Sequence, residues 1–330
     1  MKYGILDPRK TPEAQVNNNA LLNEQTLGIE VTIPELADRC KLGNIDPQHS
    51  QNKQQAAIEA ALEYPLPSND VTLVTVRADL DSIGAMAALE IRKDYEWAYA
   101  VDPIIRKGDY MVYNVSPFSI TEYAFKRLQE VAKADAFQNG NWQPYPLPTK
   151  ENPWPAKNAS AGDIKELAAI AAAVADFKIS VEDRVKWMIN WLLFGKEPEG
   201  YREKVEKERM EMIEALENGQ IKIQVIEENM QHNVSVVEST HRAGTMLGYS
   251  QAPIVVAINP EFKFQGGEPH CKMTVCQFTN HYCDLKAVAD RMNMSEPGWG
   301  GSPTIIGSPQ GHSTEISVNV IITAIQENIR

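Results

Sequence analysis

The chain has 330 residues, 43% of them hydrophobic and 23% charged, with a formal net charge of −12. That length exceeds one ordinary core and predicts two domains, with enough apolar content to bury both. The acidic balance excludes tight non-specific binding to long duplex nucleic acid, whose phosphates it repels, while leaving room for a small phosphorylated substrate.

The four cysteines, Cys40, Cys271, Cys276 and Cys283, contain no C-x-x-C pair. They give neither a disulfide framework nor a zinc-finger spacing. His281 and Cys283 stand at a spacing that could ligate a metal, but a surface imidazole and a buried thiol are the simpler reading. The opening "MKYGILDPRK" lacks an apolar signal core, and the longest apolar run, "LAAIAAAVA", is too short to span a bilayer. The expectation is a cytoplasmic protein with no membrane partner.

In chain order, the first 25 residues are polar and read as an arm or loop. "LGIEVTIPELADRC" reads as a strand entering a short helix at Pro34, and "KQQAAIEAALEY" as an amphipathic helix. "VTLVTV" is a buried strand, followed after "RADLD" by a small-residue helix with Ile83, Met86, Ala87 and Ile91 on one face. "WAYAVDP" and "DYMVYNVS" are further strand candidates, and "ITEYAFKRLQEVAKADAF" a helix. The Pro- and Trp-bearing stretch "QNGNWQPYPLPTKENPWPAKNAS" is long for a loop and reads as a lid, a wrapping segment or a disordered one. Two helices follow, then the charged helix "EPEGYREKVEKERMEMIEALENGQ" as a connector. After it, "IKIQVI", "VSVVES", "PIVVAI" and "KMTVCQF" are strands, and "DLKAVADRMN" and "EISVNVIITAIQEN" helices. The expected fold class is α/β in two domains. A mainly parallel sheet flanked by helices spans residues 1–200, a connecting helix 201–219, and a smaller mixed α/β domain 220–330, with a cleft between the domains.

Asp79 and Asp81 end the buried strand "VTLVTV". Carboxylates in the crevice beyond a parallel strand can hold hard divalent cations. The plain structural alternative is two exposed acids in a loop, with Ser82 as N-cap of the next helix and the acids favouring its dipole. "GNIDPQHS" adds Asp46 and His49 around a rigid Pro47, as a ligand-bearing loop or an ordinary turn. Near the C-terminus, "EPGWGGSPTIIGSPQGHST" repeats Gly-Ser-Pro and carries Gly300, Gly301, Ser302, Gly307, Gly311 and His312. Such glycines let successive amides point at an anion. His241 and Arg242 follow a strand, where an arginine can pair bidentately with phosphate. The alternatives are a surface turn, a solvated imidazole and a surface ion pair.

"RADLDSIGAMAAL" resembles the first motif of the DHH phosphoesterase superfamily, with Asp79 and Asp81 at its two metal-binding aspartates. The resemblance covers most of the chain after Val71, and the glycine stretch is similar to the glycine-rich motif of the DHH-associated substrate-binding domain. Thr75 stands where the family has its leading histidine, and no adjacent His pair occurs. The resemblance implies Mn²⁺ or Mg²⁺ held by Asp79, Asp81 and Asp102, with Asp176 as a further ligand, and the loop outside the matched stretch would add Asp46 and His49. Asp79, Asp81 and His49 would be catalytic. The small phosphorylated substrate would lie against His241, Arg242, Gly300, Gly301, Ser302, Gly307, Gly311 and His312. Two functions are expected in competition. One is a divalent-metal phosphoesterase acting on a nucleotide, short oligonucleotide or polyphosphate. The other is a catalytically decayed member that binds a nucleotide or protein partner without turnover. A homo-oligomer stays open.

Overall fold

The computed structural model of the chain describes residues 1–47, 55–65, 70–94, 101–107, 110–115, 126–131, 142, 144–155, 161–227, 233–241, 244–263, 268–279, 281–309 and 311–330. It is a mixed α/β structure that divides into two compact units, Met1–Gly140 with Gly162–Val205, and Asn141–Ala161 with Glu206–Arg330. Among the described residues no helix is long and apolar enough to cross a membrane.

The first unit is built on a parallel sheet. β4 (Thr72–Thr75) is buried at every position and lies between β1 (Lys2–Ile5) and β2 (Thr26–Ile29), with β3 (Asn44–Ile45) outside β2. The polar N-terminal residues are therefore not a loose arm. They form β1 and α1 (Pro12–Leu21), which Thr11 caps through the Ala14 N–H, with Pro12 at the favourable first position. Asn18 is the reason polarity misleads here. It is buried, and its side chain accepts the Asp7 N–H at 2.8 Å and donates to the Asp7 carbonyl at 2.8 Å, standing in for a strand partner. α2 (Pro34–Ala37) is a short turn of helix begun by proline.

α3 (Ala57–Glu63) and α4 (Leu80–Asp94) form the heart of this unit's core with α5 (Ala161–Val174), α6 (Val181–Phe194) and the helical residues 126–131. α4 is small-residue-rich because it is buried on several sides. A Cβ on Gly84 would lie 2.8 Å from Ile58 Cδ1 and 3.1 Å from Met188 Cε, so glycine lets α3 and α6 approach the same point. β5 (Val101–Lys107) and β6 (Tyr110–Val115) form a separate antiparallel pair. α7 (Tyr201–Glu217) carries the change from the first unit to the second.

The second unit is a six-stranded sheet in the order β11-β12-β10-β9-β8-β7. Its strands are β7 (Lys222–Ile226), β8 (Val234–Glu238), β9 (Ile254–Phe262), β10 (His270–Gln277), β11 (Gly300–Ser302) and β12 (Ile305–Gly307). Only the β8–β9 pairing is parallel. Strand alternation sorts the side chains onto two faces. Val234, Val256, Met273, Val275 and Ile306 pack with α9 (Leu285–Asn293) and α10 (Val318–Gln326). Val237 and Val255 pack on the other side with Leu247 of α8 (Gly244–Tyr249) and Met212 of α7. Residues 142 and 144–155 of the Pro- and Trp-rich stretch pack on this unit. Trp142 Nε1 donates to the Tyr249 carbonyl at 2.7 Å, and the Arg209 guanidinium lies 4.3 Å from the centre of the Trp154 ring.

Candidate functional site

The chain leaves β4 at Thr75 and turns through Arg77 and Asp79 into α4. The Thr75 hydroxyl donates to the Arg77 carbonyl at 3.0 Å and accepts the Arg77 N–H at 3.2 Å, which closes the turn on itself. Asp79 and Ser82 cap α4 reciprocally: Asp79 Oδ1 accepts the Ser82 N–H at 3.1 Å, and Ser82 Oγ accepts the Asp79 N–H at 3.1 Å. Arg77 Nε is 3.8 Å from Asp79 Oδ2, with the Arg77 side chain 85% exposed, a contact worth little in water.

Asp81 does something the local sequence does not announce. It is buried, 4% exposed, and turns away from the turn towards α3. Its Oδ2 accepts the Ala57 N–H at 2.6 Å and its Oδ1 the Ile58 N–H at 2.9 Å. Glu59, also 4% exposed, accepts the Ala56 N–H at 2.8 Å. Two carboxylates thus take three consecutive amides at the start of α3, where a helix has no carbonyl of its own to offer them. At the far end of α3, Arg92 Nη1 donates to the carbonyls of Ala61 at 2.6 Å and Tyr64 at 2.7 Å.

Among the described residues, two of the positions matched to the family's first motif are engaged within the fold. Each Asp81 oxygen is engaged by a backbone N–H, and Thr75 spends its hydroxyl within its own turn. Among the described residues no group of three or more His, Cys, Asp or Glu side chains is arranged to hold a metal. Asp46 follows β3 and is 2% exposed, and Asp102 lies on β5 opposite Asn114. Asp176 accepts the Lys178 N–H at 3.0 Å and the Tyr201 hydroxyl at 2.9 Å, which hold its pKa below the ordinary value. His49 and Arg242 lie outside the described residues.

In the second unit the structure opens a recess of about 340 Å³ on the α8 side of the sheet, between the end of β8, the start of α8 and the middle of β9 and β10. Ser239, Thr240, His241, Thr245 and Thr274 line it with donors, and Val237, Ala257 and Phe262 give it an apolar wall. Lys272 of β10 also lines it while only 8% exposed. Burial pushes the Lys272 pKa down from its usual value. The ammonium meets the Ser308 carbonyl and lies 3.5 Å from the Pro309 carbonyl. No carboxylate among the described residues pairs with it.

The glycine stretch divides between two tasks. Gly300, Gly301 and Ser302 form exposed β11, paired with β12 in a hairpin, rather than a free anion-binding loop. Gly307 makes room for the lysine, since a Cβ there would lie 3.3 Å from Lys272 Nζ. Gly311 donates its N–H to His270 Nε2 at 3.3 Å, which ties the following segment to β10. His312 is elsewhere, on a second recess with Glu296 and Ser317. Burial raises the Glu296 pKa, but hydrogen bonds from Thr314, the Glu315 N–H and Trp299 outweigh it and hold the carboxyl low.

Of the expected contact residues, then, His241 reaches the Lys272 recess and Gly307 shapes it. Lys272, Thr245 and Thr274 escape notice in the sequence. The available signal is the pattern "HCKMTVCQ", in which polar residues recur on one face of an otherwise apolar strand. The buried thiols are inert by comparison: burial lifts Cys40 and Cys276 to about 11 and Cys283 to about 12. Compared with family models, curated proteins and solved structures, the chain matches none.

Proposed function

We propose that this chain binds a small phosphorylated molecule of the nucleotide class in the recess around Lys272, without turnover at the acidic turn. The observation that carries this reading is Lys272 itself. A buried cation with no carboxylate partner among the described residues is expensive, and an anionic ligand would supply a counter-charge. The hydroxyls of Ser239, Thr240, Thr245 and Thr274 are donors suited to a tetrahedral oxyanion. The apolar wall formed by Val237, Ala257 and Phe262 suits a flat or apolar body attached to it. A net charge of −12 weighs against a long polyanion.

The test is calorimetric titration of adenosine monophosphate and of inorganic pyrophosphate into the wild type and Lys272→Met. Loss of one charge-assisted hydrogen bond predicts roughly 10- to 100-fold weaker binding. Equal affinity in the two proteins, or no binding of either compound to the wild type, overturns the proposal.

A second reading, a phosphoesterase using Mn²⁺ or Mg²⁺, is favoured by Asp79, whose side chain stays 39% exposed beyond the end of a parallel strand. It predicts Mn²⁺-dependent hydrolysis that Asp79→Ala abolishes and Lys272→Met weakens through substrate binding alone.

A further inference from the structure

We infer that Asp81 and Arg92 form a two-ended clamp by which α4 docks α3, so that Asp81 serves in this chain as a positioning residue for a helix and not as a metal ligand. The inference stands apart from the recess of the second unit and does not depend on it.

α3, Ala57–Glu63, is only 7 residues long. Helices of under about 12 residues are marginal by themselves, so α3 owes its order to what it packs against. Its ends are the weak points, because the first amides and last carbonyls of a helix have no partners inside it. Here both ends are completed by side chains of one neighbouring helix. Asp81 takes the Ala57 and Ile58 amides, and Arg92 takes the Ala61 and Tyr64 carbonyls.

The spacing allows this. Positions 81 and 92 are three turns apart, returning to within about 20° of the same face and about 16 Å along the axis. That length spans a helix of about 10 Å plus a cap at each end. The signs are also right, with the carboxylate at the positive end of the α3 dipole and the guanidinium at its negative end. Between the clamps Gly84 leaves room for Ile58 to reach α4, so charge at the ends and close packing in the middle act together.

Mutual dependence is the property to test. In so short a helix the two ends lie within about two turns of each other, so releasing one should loosen the other despite the packing between them. The experiment is amide hydrogen exchange over residues 56–64 in the full chain, for the wild type, Asp81→Asn, Arg92→Lys, the double variant and Asp79→Asn, beside calorimetric titration with Mn²⁺. Asp81→Asn should speed exchange of the α3 amides at least tenfold. Arg92→Lys, the milder change, should speed exchange across α3 and not only beside Tyr64. The double variant should exchange no faster than the faster single one. Asp79→Asn should leave α3 at the wild-type rate, because Asp79 caps α4 instead. Mn²⁺ should bind wild type and Asp81→Asn alike.

If Asp81→Asn does not fold, Arg92→Lys and the wild-type titration still decide the matter. Wild-type exchange rates across α3 in Arg92→Lys would sink the clamp. Stoichiometric Mn²⁺ binding that protects Asp81 from its role, seen as faster α3 exchange on adding Mn²⁺, would sink the assignment of Asp81. So would loss of Mn²⁺ binding in Asp81→Asn with α3 exchange unchanged.

Discussion

Asp81 and Lys272 are both charged, and both are nearly inaccessible, at 4% and 8% exposure. Their surroundings differ in kind. Each Asp81 oxygen accepts a peptide N–H, so much of its charge is answered by the end of a helix. Among the described residues Lys272 meets neutral carbonyl oxygens and no carboxylate, and it lies on the wall of a recess lined by hydroxyls. A buried charge whose hydrogen bonds close inside the fold holds structure together. A buried charge that opens onto space and lacks a counter-charge invites a ligand.

The largest effect should come from removing the charge on the closed side. Asp81→Leu leaves the Ala57 and Ile58 amides buried without acceptors, and should cost about 2–5 kcal/mol of stability. The opposite substitution sharpens the contrast. Lys272→Met removes a cation that burial already disfavours and keeps most of the stem's packing. It should be neutral to stabilising by about 1 kcal/mol. Denaturant melts of both variants make the comparison. If Lys272→Met loses as much as Asp81→Leu, the lysine is a structural clamp on the Ser308 and Pro309 carbonyls, and the contrast collapses.

A smaller effect belongs to the acid next door. Asp79 shares its turn with Asp81 but caps the helix on which it sits, so Asp79→Ala should cost about 1 kcal/mol, as ordinary N-cap losses do. A loss matching that of Asp81→Leu in the same melts would mean that the two acids act as one cluster.

What the sequence reveals about this site follows from the range of each interaction. The strand, the acidic turn and α4 are legible because composition and spacing define them within some 20 residues. The cap is legible in kind but not in place: Ser82 reads as the N-cap, while the helix begins at Leu80 and Asp79 caps it with Ser82 in its first turn. The Asp81 contact is not legible. Its partners are backbone amides 24 and 23 residues earlier, and amides carry no sequence signature. The small residues of α4, suggestive of space around a metal, are explained instead by α3 and α6 meeting at Gly84. The strand β1 and helix α1 are masked by their polarity, because Asn18 satisfies its amide on the Asp7 backbone. The glycine stretch shows the reverse failure: glycines that read as an open loop pair up as the β11–β12 hairpin. In the second unit the strands β7 to β10 are visible from their composition and alternation, while the strand order, including the pairing of β8 parallel to β9, is not.

The smallest effect expected is a slope with pH, and its sign distinguishes the two buried charges further. Burial lowers the Lys272 pKa in the folded chain below its value in the unfolded one. Between those two values the unfolded chain holds more protons, so stability rises with pH across that window. Below the lowered folded pKa the penalty for burying the ammonium is present in full, and it fades as pH climbs towards the unfolded value. Binding of an anion should run the other way, weakening as Lys272 gives up its proton. Melts at stepped alkaline pH should therefore show the wild type gaining on Lys272→Met, while titration of adenosine monophosphate over the same steps shows the wild type losing its advantage. A difference between the two proteins that stays flat with pH would mean that Lys272 keeps its proton throughout, with the neighbouring carbonyls holding the charge more firmly than burial opposes it.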